Sequence, residues 1–222
     1  MFNFYGSKRR IAECYPEPKF DLIVEPFCGS AAYSLFHKRW QKQVFLYDAD
    51  HRIITVWKYL IGASASDILN LPVFGPGTNV DSFNLSQAEK WFLGYMISAA
   101  TRNPKKTATE KTNWNERKRK QIAESLYKVH HWQAECLDFR EIPNREATWF
   151  IDPPYMEKGK WYDKRLKEEE YPELAKSVRG WSGQKIVCES SEATWLPFKP
   201  LVSVKGQSNN RMIEGIFLDS SA

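Results

Sequence analysis

The residues best suited to chemistry lie in "FIDPPY", where an apolar run ends at Asp152-Pro153-Pro154-Tyr155. A turn alone requires neither a carboxylate nor two consecutive prolines. Prolines fix the backbone without adding a donor that needs a partner, so the Asp152 carboxylate and the Pro153 carbonyl would be rigidly aimed hydrogen-bond acceptors. Such a fixed pair of acceptors leaves two interpretations, a loop or a reaction centre. We interpret this stretch as a reaction centre; a strand that ends in a Pro-Pro turn is the structural alternative.

Two other loops contain residues that indicate a ligand. Gly29 follows the apolar run "LIVE" and would let the backbone approach a ligand closely, although such glycine turns are common. Asp48 follows "VFLY", about 20 residues after Gly29, the spacing of an acidic residue that binds ribose hydroxyls. A helix N-cap is the alternative for Asp48. Together the loops predict an adenosine-containing ligand with a small charged group, since the phosphate fingerprint of NAD sites is incomplete.

These residues lie in a regular alternation of strand-like and helix-like segments. The predicted strands are 22–25, 44–47, 147–151 and 185–189; the predicted helices are 31–40, 52–62 and 168–181. The segments 201–206 and 211–218 predict an antiparallel hairpin around "QSNN". The predicted fold class is α/β, with a mostly parallel sheet, helices on both faces and the hairpin at one edge. Ligands of such sheets bind beyond the carboxyl ends of the strands.

The region 64–131 interrupts this alternation, and we predict that it is a helical insertion in a core formed by 1–63 and 132–222. Its Ser86 and Glu89 form a capping-box pattern at the start of an apolar helix. Residues 102–120 contain eight Lys or Arg and two Glu, which is typical of a solvated surface or of a nucleic-acid contact. We favour nucleic-acid binding, in which Lys and Arg neutralise phosphates and Trp114 offers a ring for stacking. The predicted contacts are Arg102, Asn103, Lys105, Lys106, Trp114, Arg117 and Lys118.

The composition favours an intracellular protein and is compatible with contact to nucleic acid. The net charge is +5, the pI is about 8.9 and 14% of residues are aromatic. The four cysteines form no CxxC or zinc-knuckle pattern, so we expect reduced thiols and no metal. The N-terminus has no apolar signal core, and the longest apolar run, "WFLGYMISAA", is about half a membrane span. We expect a cytoplasmic protein with no membrane partner.

Five segments resemble the Dam-like class of S-adenosylmethionine-dependent DNA adenine N6-methyltransferases. In the order of that family they are "NFYGSKRRI", "VEPFCGSAAYSLF", "LYDADHRIITVW", "CLDF" and "FIDPPY". The resemblance implies a Rossmann-like methyltransferase fold and a base that is flipped out of double-stranded DNA. It implies catalysis by Asp152, Pro153 and Tyr155. It also implies that S-adenosylmethionine is bound by Tyr5, Lys8, Glu25, Phe27, Gly29, Asp48, Asp138, Phe139 and Asp152.

The chain departs from the family pattern at two places. Ala31 stands where the family's loop usually has a second glycine, and "YGSK" replaces two glycines before the lysine. An RNA adenine remains an alternative substrate, whereas a cytosine N4 target would more often show Ser in place of Asp152. A catalytically silent DNA-binding protein on the same scaffold is the rival from another class. The resemblance further implies a monomer in a bacterial or phage-infected cell. We also expect a loop within 156–170 to close over the base, and 205–211 to approach the nucleic acid.

Overall fold

The structure is a computed structural model that describes residues 1–98, 101–110, 112–156, 166–205 and 211–219. The described strands form one sheet of order β3-β2-β1-β4-β5-β7-β6. In chain order the strands are β1 (Leu22–Glu25), β2 (Gln43–Tyr47), β3 (Gln133–Glu135), β4 (Ala147–Ile151), β5 (Gly183–Ser190), β6 (Lys199–Lys205) and β7 (Arg211–Asp219). Strands β1 to β5 pair in parallel, and β7 runs antiparallel to β5 and β6. The α/β class with a mostly parallel sheet and an antiparallel hairpin is therefore confirmed.

The described part of the chain contains five α-helices. They are α1 (His51–Gly62), α2 (Ala65–Leu69), α3 (Gln87–Met96), α4 (Glu116–Ala123) and α5 (Tyr171–Gly180). Adjacent strand residues point to opposite faces of a sheet, and Ile23 and Val24 accordingly belong to two different apolar clusters. Helices α1 to α4 contribute to the cluster of Ile23, and α5 contributes to that of Val24. The prediction of helices on both faces is confirmed.

The sheet reverses its winding direction beside β1. Strand β2 pairs with one edge of β1, and β4, which comes much later in the chain, pairs with the other edge. This is the topological switch point of an open α/β sheet, where a crevice forms outside the carboxyl ends of the strands. The fold therefore brings the ends of β1, β2 and β4 together although they are distant in sequence.

The predicted helix at 31–40 is wrong. This segment is a series of turns that ends in a short 3-10 helix at Arg39–Gln41. Ala31 has a φ of +47° and His37 a φ of +48°, and left-handed residues of this kind do not continue a right-handed helix. The loop after β1 consequently has no helix N-terminus to offer to a phosphate or carboxylate.

The insertion packs closely against the rest of the protein. Phe92 of α3 lies in the same apolar cluster as Trp57 of α1, and Phe2 contacts both Trp57 and Tyr95 through ring edges and faces. The capping box of α3 is confirmed, because Ser86 Oγ accepts from Glu89 N and the Glu89 side chain accepts from Ser86 N. The boundaries at 63 and 132 stay a prediction. Strand β3, which lies just beyond the second boundary, was not predicted.

No helix in the described ranges is both long and apolar enough to cross a membrane. Among the same residues, no group of three or more His, Cys, Asp or Glu side chains is arranged to hold a metal ion.

Candidate active site

A cavity of about 430 Å³ opens at the carboxyl ends of β1, β2 and β4. Its walls come from the N-terminal segment, the loops after these strands, residues 137–139, and the segment 102–103 of the insertion. All the residues predicted to bind the cofactor line it, and so do all those predicted to be catalytic. They are Tyr5, Lys8, Glu25, Phe27, Gly29, Asp48, Asp138, Phe139, Asp152, Pro153 and Tyr155.

Asp48 connects the loops that follow β1 and β2. Its Oδ2 accepts a hydrogen bond from Gly29 N at 3.2 Å, and its Oδ1 accepts one from Asp50 N at 2.9 Å. The N-cap of α1 is Asp50, whose carboxylate accepts from Arg52 N. The alternative role of Asp48 as the helix cap is therefore excluded. Burial raises the pKa of Asp48 to about 7, against the opposing effect of the two backbone donors.

Gly29 meets the demands of a close backbone approach. Its φ is +44°, and a Cβ atom at this position would lie 3.0 Å from the ring of Phe4. The carbonyl of Gly29 accepts a hydrogen bond from Trp57 Nε1 at 2.8 Å. The loop after β1 is thus fixed by α1 on one side and by the N-terminal segment on the other.

Glu25, the last residue of β1, stabilises the same loop through hydrogen bonds. It is buried, and its Oε1 accepts hydrogen bonds from Ser34 N at 3.0 Å and from Ser34 Oγ at 2.5 Å. Burial raises the pKa of Glu25 to about 8 despite these bonds. Glu25 lines the cavity, but its hydrogen bonds hold the turns at residues 31–38 in place.

Two aromatic rings flank one end of the cavity. The centroids of Phe27 and Phe139 lie 6.0 Å apart, and the guanidinium of Arg140 lies 4.4 Å from the Phe139 ring centroid. Asp138 accepts from Arg140 Nη1 at 2.8 Å, and the same guanidinium pairs with Glu170 and Glu173. This network fixes residues 137–139 at the cavity wall, where flat rings can contact a flat ligand.

Asp152 lies at the other end of the cavity in a charged, largely buried cluster. Lys8 Nζ is 2.9 Å from Asp152 Oδ1 and 3.5 Å from Glu214 Oε1. Burial raises the pKa of Asp152 to about 6; Lys8 opposes this shift and Glu214 adds to it. Burial acts to lower the pKa of Lys8, but the two carboxylates outweigh it and raise that pKa above its ordinary value.

The segment Asp152–Met156 is held by hydrogen bonds from several elements. Tyr171 of α5 donates its hydroxyl to Pro154 O at 2.5 Å, and Glu189 of β5 accepts from Met156 N at 3.2 Å. The Tyr155 hydroxyl donates to Glu214, and Lys8 Nζ lies 4.4 Å from the centroid of the Tyr155 ring. Burial raises the pKa of Glu189 to about 7. The prolines and these bonds together fix the acceptors of the predicted reaction centre.

Of the residues predicted to bind nucleic acid, only Arg102 and Asn103 line the cavity. They are held there because Tyr5 N donates to Thr101 O at 3.0 Å and the Arg102 guanidinium lies 4.0 Å from the Tyr5 ring centroid. The remaining basic residues of the prediction, Lys105, Lys106, Arg117 and Lys118, are exposed or partly exposed and lie outside the cavity lining.

Trp114 is a correction to the predicted nucleic-acid contacts. Its side chain is only 2% exposed, its Nε1 donates to Pro72 O at 2.8 Å, and its ring packs edge-on against Phe92. A ring enclosed in this way cannot stack on a base. Trp114 is part of the core between α3 and α4 and is not available for contact with nucleic acid.

Sequence reasoning missed several carboxylates and phenols that shape the site. Glu189 follows the apolar run 186–188 of β5, Glu214 follows Ile213 in β7, and both carboxylates are buried. A carboxylate in an apolar strand is expensive to bury without partners, and this signal could have identified them. Tyr15, which donates to Glu214, and Tyr171, which donates to Pro154 O, gave no such signal. Two further predictions, the closing loop within 156–170 and the approach of 205–211, concern residues 157–165 and 206–210, which lie outside the described residues.

The chain was compared with known proteins at the level of sequence. No protein-family model matches it. No curated protein matches it significantly either.

Proposed function

We propose that this protein transfers a methyl group from S-adenosylmethionine to N6 of an adenine base in DNA, at a short site. One observation carries the proposal: the five separate segments that resemble the Dam-like methyltransferases all contribute side chains to one cavity. That cavity lies at the switch point of the sheet, where open α/β folds bind their ligands. The sheet order is compatible with the Rossmann-like methyltransferase fold that the resemblance implies.

The cavity has features that fit S-adenosylmethionine. Its volume of about 430 Å³ is in the range of small-molecule sites, about 300–1,000 Å³. Asp48 is partly exposed at the end of β2 and is positioned by Gly29 and Asp50 to accept from ribose hydroxyls. Phe27 and Phe139 supply apolar faces suited to an adenine ring. When bound, this cofactor supplies a sulfonium-activated methyl group.

The residues at the other end of the cavity suit an exocyclic amino group. Such a group is a poor nucleophile because its lone pair is drawn into the ring. The Asp152 carboxylate and the Pro153 carbonyl accept its two N–H bonds, which favours a pyramidal nitrogen with an available lone pair. This is catalysis by position and by fixed charge. The ring of Tyr155 borders the same space and stacks on the captured base.

Lys8 sets a condition on this chemistry. Its ammonium lies 2.9 Å from Asp152 Oδ1, so an incoming amino group must use the remaining acceptor sites of the carboxylate or displace Lys8. Either way Asp152 has to be ionised to accept a hydrogen bond. Lys8 favours that state, because it opposes the rise in the Asp152 pKa that burial causes.

A product assay tests the proposal. The protein is incubated with S-adenosylmethionine that carries a labelled methyl group and, in parallel, with random-sequence DNA duplexes, single-stranded DNA and RNA. Digested products are separated by mass spectrometry. N6-methyladenine in the DNA supports the proposal, and N6-methyladenine in RNA alone would select the alternative substrate. If the folded protein binds the DNA but no pool contains a methylated base, the result supports the alternative of a non-catalytic DNA-binding protein.

A further inference from the structure

Three donor groups lie around one carboxylate oxygen of Glu214, a residue of β7. Its Oε1 accepts a hydrogen bond from the Tyr15 hydroxyl at 2.6 Å and another from the Tyr155 hydroxyl. Lys8 Nζ lies 3.5 Å from the same oxygen. Glu214 is 3% exposed and lines the cavity beside Asp152. Glu214 therefore contacts both of the side chains that touch the proposed reaction centre, Lys8 and Tyr155.

Lys8 stands between two carboxylates. It is closer to Asp152 than to Glu214, at 2.9 Å against 3.5 Å, and its side chain is 10% exposed. A buried ammonium needs a paired carboxylate, because an uncompensated charge is costly to keep away from water. If a substrate amino group displaces the Lys8 ammonium from Asp152, Lys8 requires another counter-ion. Glu214 provides one without a large movement.

We propose that Glu214 is a positioning residue of this site. It fixes the Tyr155 ring, and it pairs with the Lys8 ammonium when Asp152 accepts a hydrogen bond from the amino group of the substrate. The inference rests on the proposed function and adds to it a residue from the closing hairpin. Glu214 does not touch the reacting atoms in this scheme. It acts through Lys8 and Tyr155.

The charge of Glu214 gives the proposal a measurable signature. Glu214 adds to the rise in the Asp152 pKa, while Lys8 opposes it. Removing that charge leaves Lys8 paired with Asp152 alone, and both changes lower the pKa of Asp152. The other titratable groups that interact with Asp152 stay in the chain: Glu25, Glu189, Tyr15, Tyr155 and Cys188. Of these, Tyr15 and Tyr155 donate to Glu214 itself, and the amide oxygen of glutamine can still accept from them.

The experiment compares the unaltered chain with Glu214→Gln in two measurements. Carbon NMR of protein labelled at aspartate carboxyls follows the titration of Asp152 without any substrate, and single-turnover methylation of DNA gives the rate constant. We expect the Asp152 pKa to fall in Glu214→Gln. We also expect the rate constant to fall by roughly tenfold to a hundredfold, because a small misplacement of reacting groups costs about that much.

Two further variants separate positioning from general damage. Glu192→Gln removes the charge of an exposed carboxylate just after β5, outside the cavity lining, and should change neither measurement. Glu214→Asp keeps the charge on a shorter side chain, so it should hold the Asp152 pKa near its original value and lose only part of the rate. If Glu214→Gln does not fold, Glu214→Asp carries the test, and a rate constant equal to that of the unaltered chain would overturn the proposal.

The outcomes for the inference and for the proposed function are distinct. An unchanged Asp152 pKa in folded Glu214→Gln, or an unchanged rate constant, overturns the role of Glu214 while the unaltered chain still methylates DNA. Absence of methylation by the unaltered chain itself refutes the proposed function, and with it the inference.

Discussion

At the scale of single residues, the site is a set of carboxylates with different tasks. Glu25 and Glu189 hold loops, Asp48 connects two loops and faces the cavity, and Asp152 faces Lys8. Burial raises the pKa of all four of these carboxyls. The supporting carboxylates therefore differ from the proposed reactive carboxylate, Asp152, in their hydrogen-bond partners and not in their residue type.

Asp48→Ala should weaken the binding of S-adenosylmethionine by about 1–3 kcal/mol, the usual value of hydrogen bonds to a charged acceptor. The expected loss comes from the ribose contacts and from the looser loop at Gly29. Isothermal titration calorimetry measures it, with Asp67→Asn as a control because Asp67 caps α2 outside the cavity lining. Unchanged affinity in a folded Asp48→Ala protein would remove Asp48 from the cofactor site.

The pH dependence of methylation should report Asp152. The proposed acceptor is ionised above its pKa of about 6, so kcat/KM for DNA should fall as the pH decreases through about 6. The assay uses saturating S-adenosylmethionine, so that protonation of Asp48, whose pKa is about 7, does not limit cofactor binding. The profile of kcat/KM against pH, which reflects groups of the free enzyme, checks this, and the Asp152 titration seen by NMR provides the comparison. An activity that stays constant down to pH 5 would show that an ionised Asp152 is not required.

At the scale of elements, the insertion combines a buried side with a basic surface. Helix α3 packs on α1. Gly94 of α3 allows the segment 104–105 to lie directly against this helix, since a Cβ there would lie 2.6 Å from Lys105 O. The exposed side carries Lys105 and Arg117. The apolar half of the insertion thus holds Arg102 at the cavity, while its basic half faces solvent.

Trp114→Ala should destabilise the protein by about 3–5 kcal/mol, as expected when a large buried ring is removed. Chemical denaturation measures the change. Trp114→Phe, which keeps most of the buried ring but loses the bond to Pro72, should cost less. If Trp114→Ala instead kept full stability and lost DNA affinity, the assignment of Trp114 to the core would be wrong.

The exposed basic residues should determine how DNA affinity depends on salt. If Lys105 and Arg117 contact phosphates, neutralising either one should reduce the slope of log K against log salt concentration by about 1. Fluorescence anisotropy at several salt concentrations measures the slope. Lys176→Ala, an exposed change on α5 against the opposite face of the sheet, is the matched control. Equal slopes for all of these proteins would make the basic segment a solvated surface only.

At the scale of the whole molecule, local apolar runs were enough to predict β1, β4 and the hairpin, because such runs reflect burial directly. The segment 31–40 has the apolar content of a helix, but contacts from distant residues, such as the stacking of Phe150 on Tyr33, stabilise turns there. Glu214 and Tyr15 are 199 residues apart in sequence, and no local pattern connects them. The sequence therefore predicted the cavity's main residues, while the partners that tune them depend on the tertiary fold.

The most direct test of the proposed function separates binding from chemistry at Asp152. Asp152→Asn keeps the side-chain shape, removes the charge and presents an NH₂ group toward the N–H bonds of the base. The loss of one fixed catalytic partner costs roughly a hundredfold to a thousandfold in rate in other enzymes. Single-turnover methylation and equilibrium binding of cofactor and DNA are measured side by side for this variant and the unaltered chain. We predict a rate at least a hundredfold lower with binding nearly unchanged; near-normal methylation by Asp152→Asn would contradict the assignment of Asp152 as the catalytic acceptor.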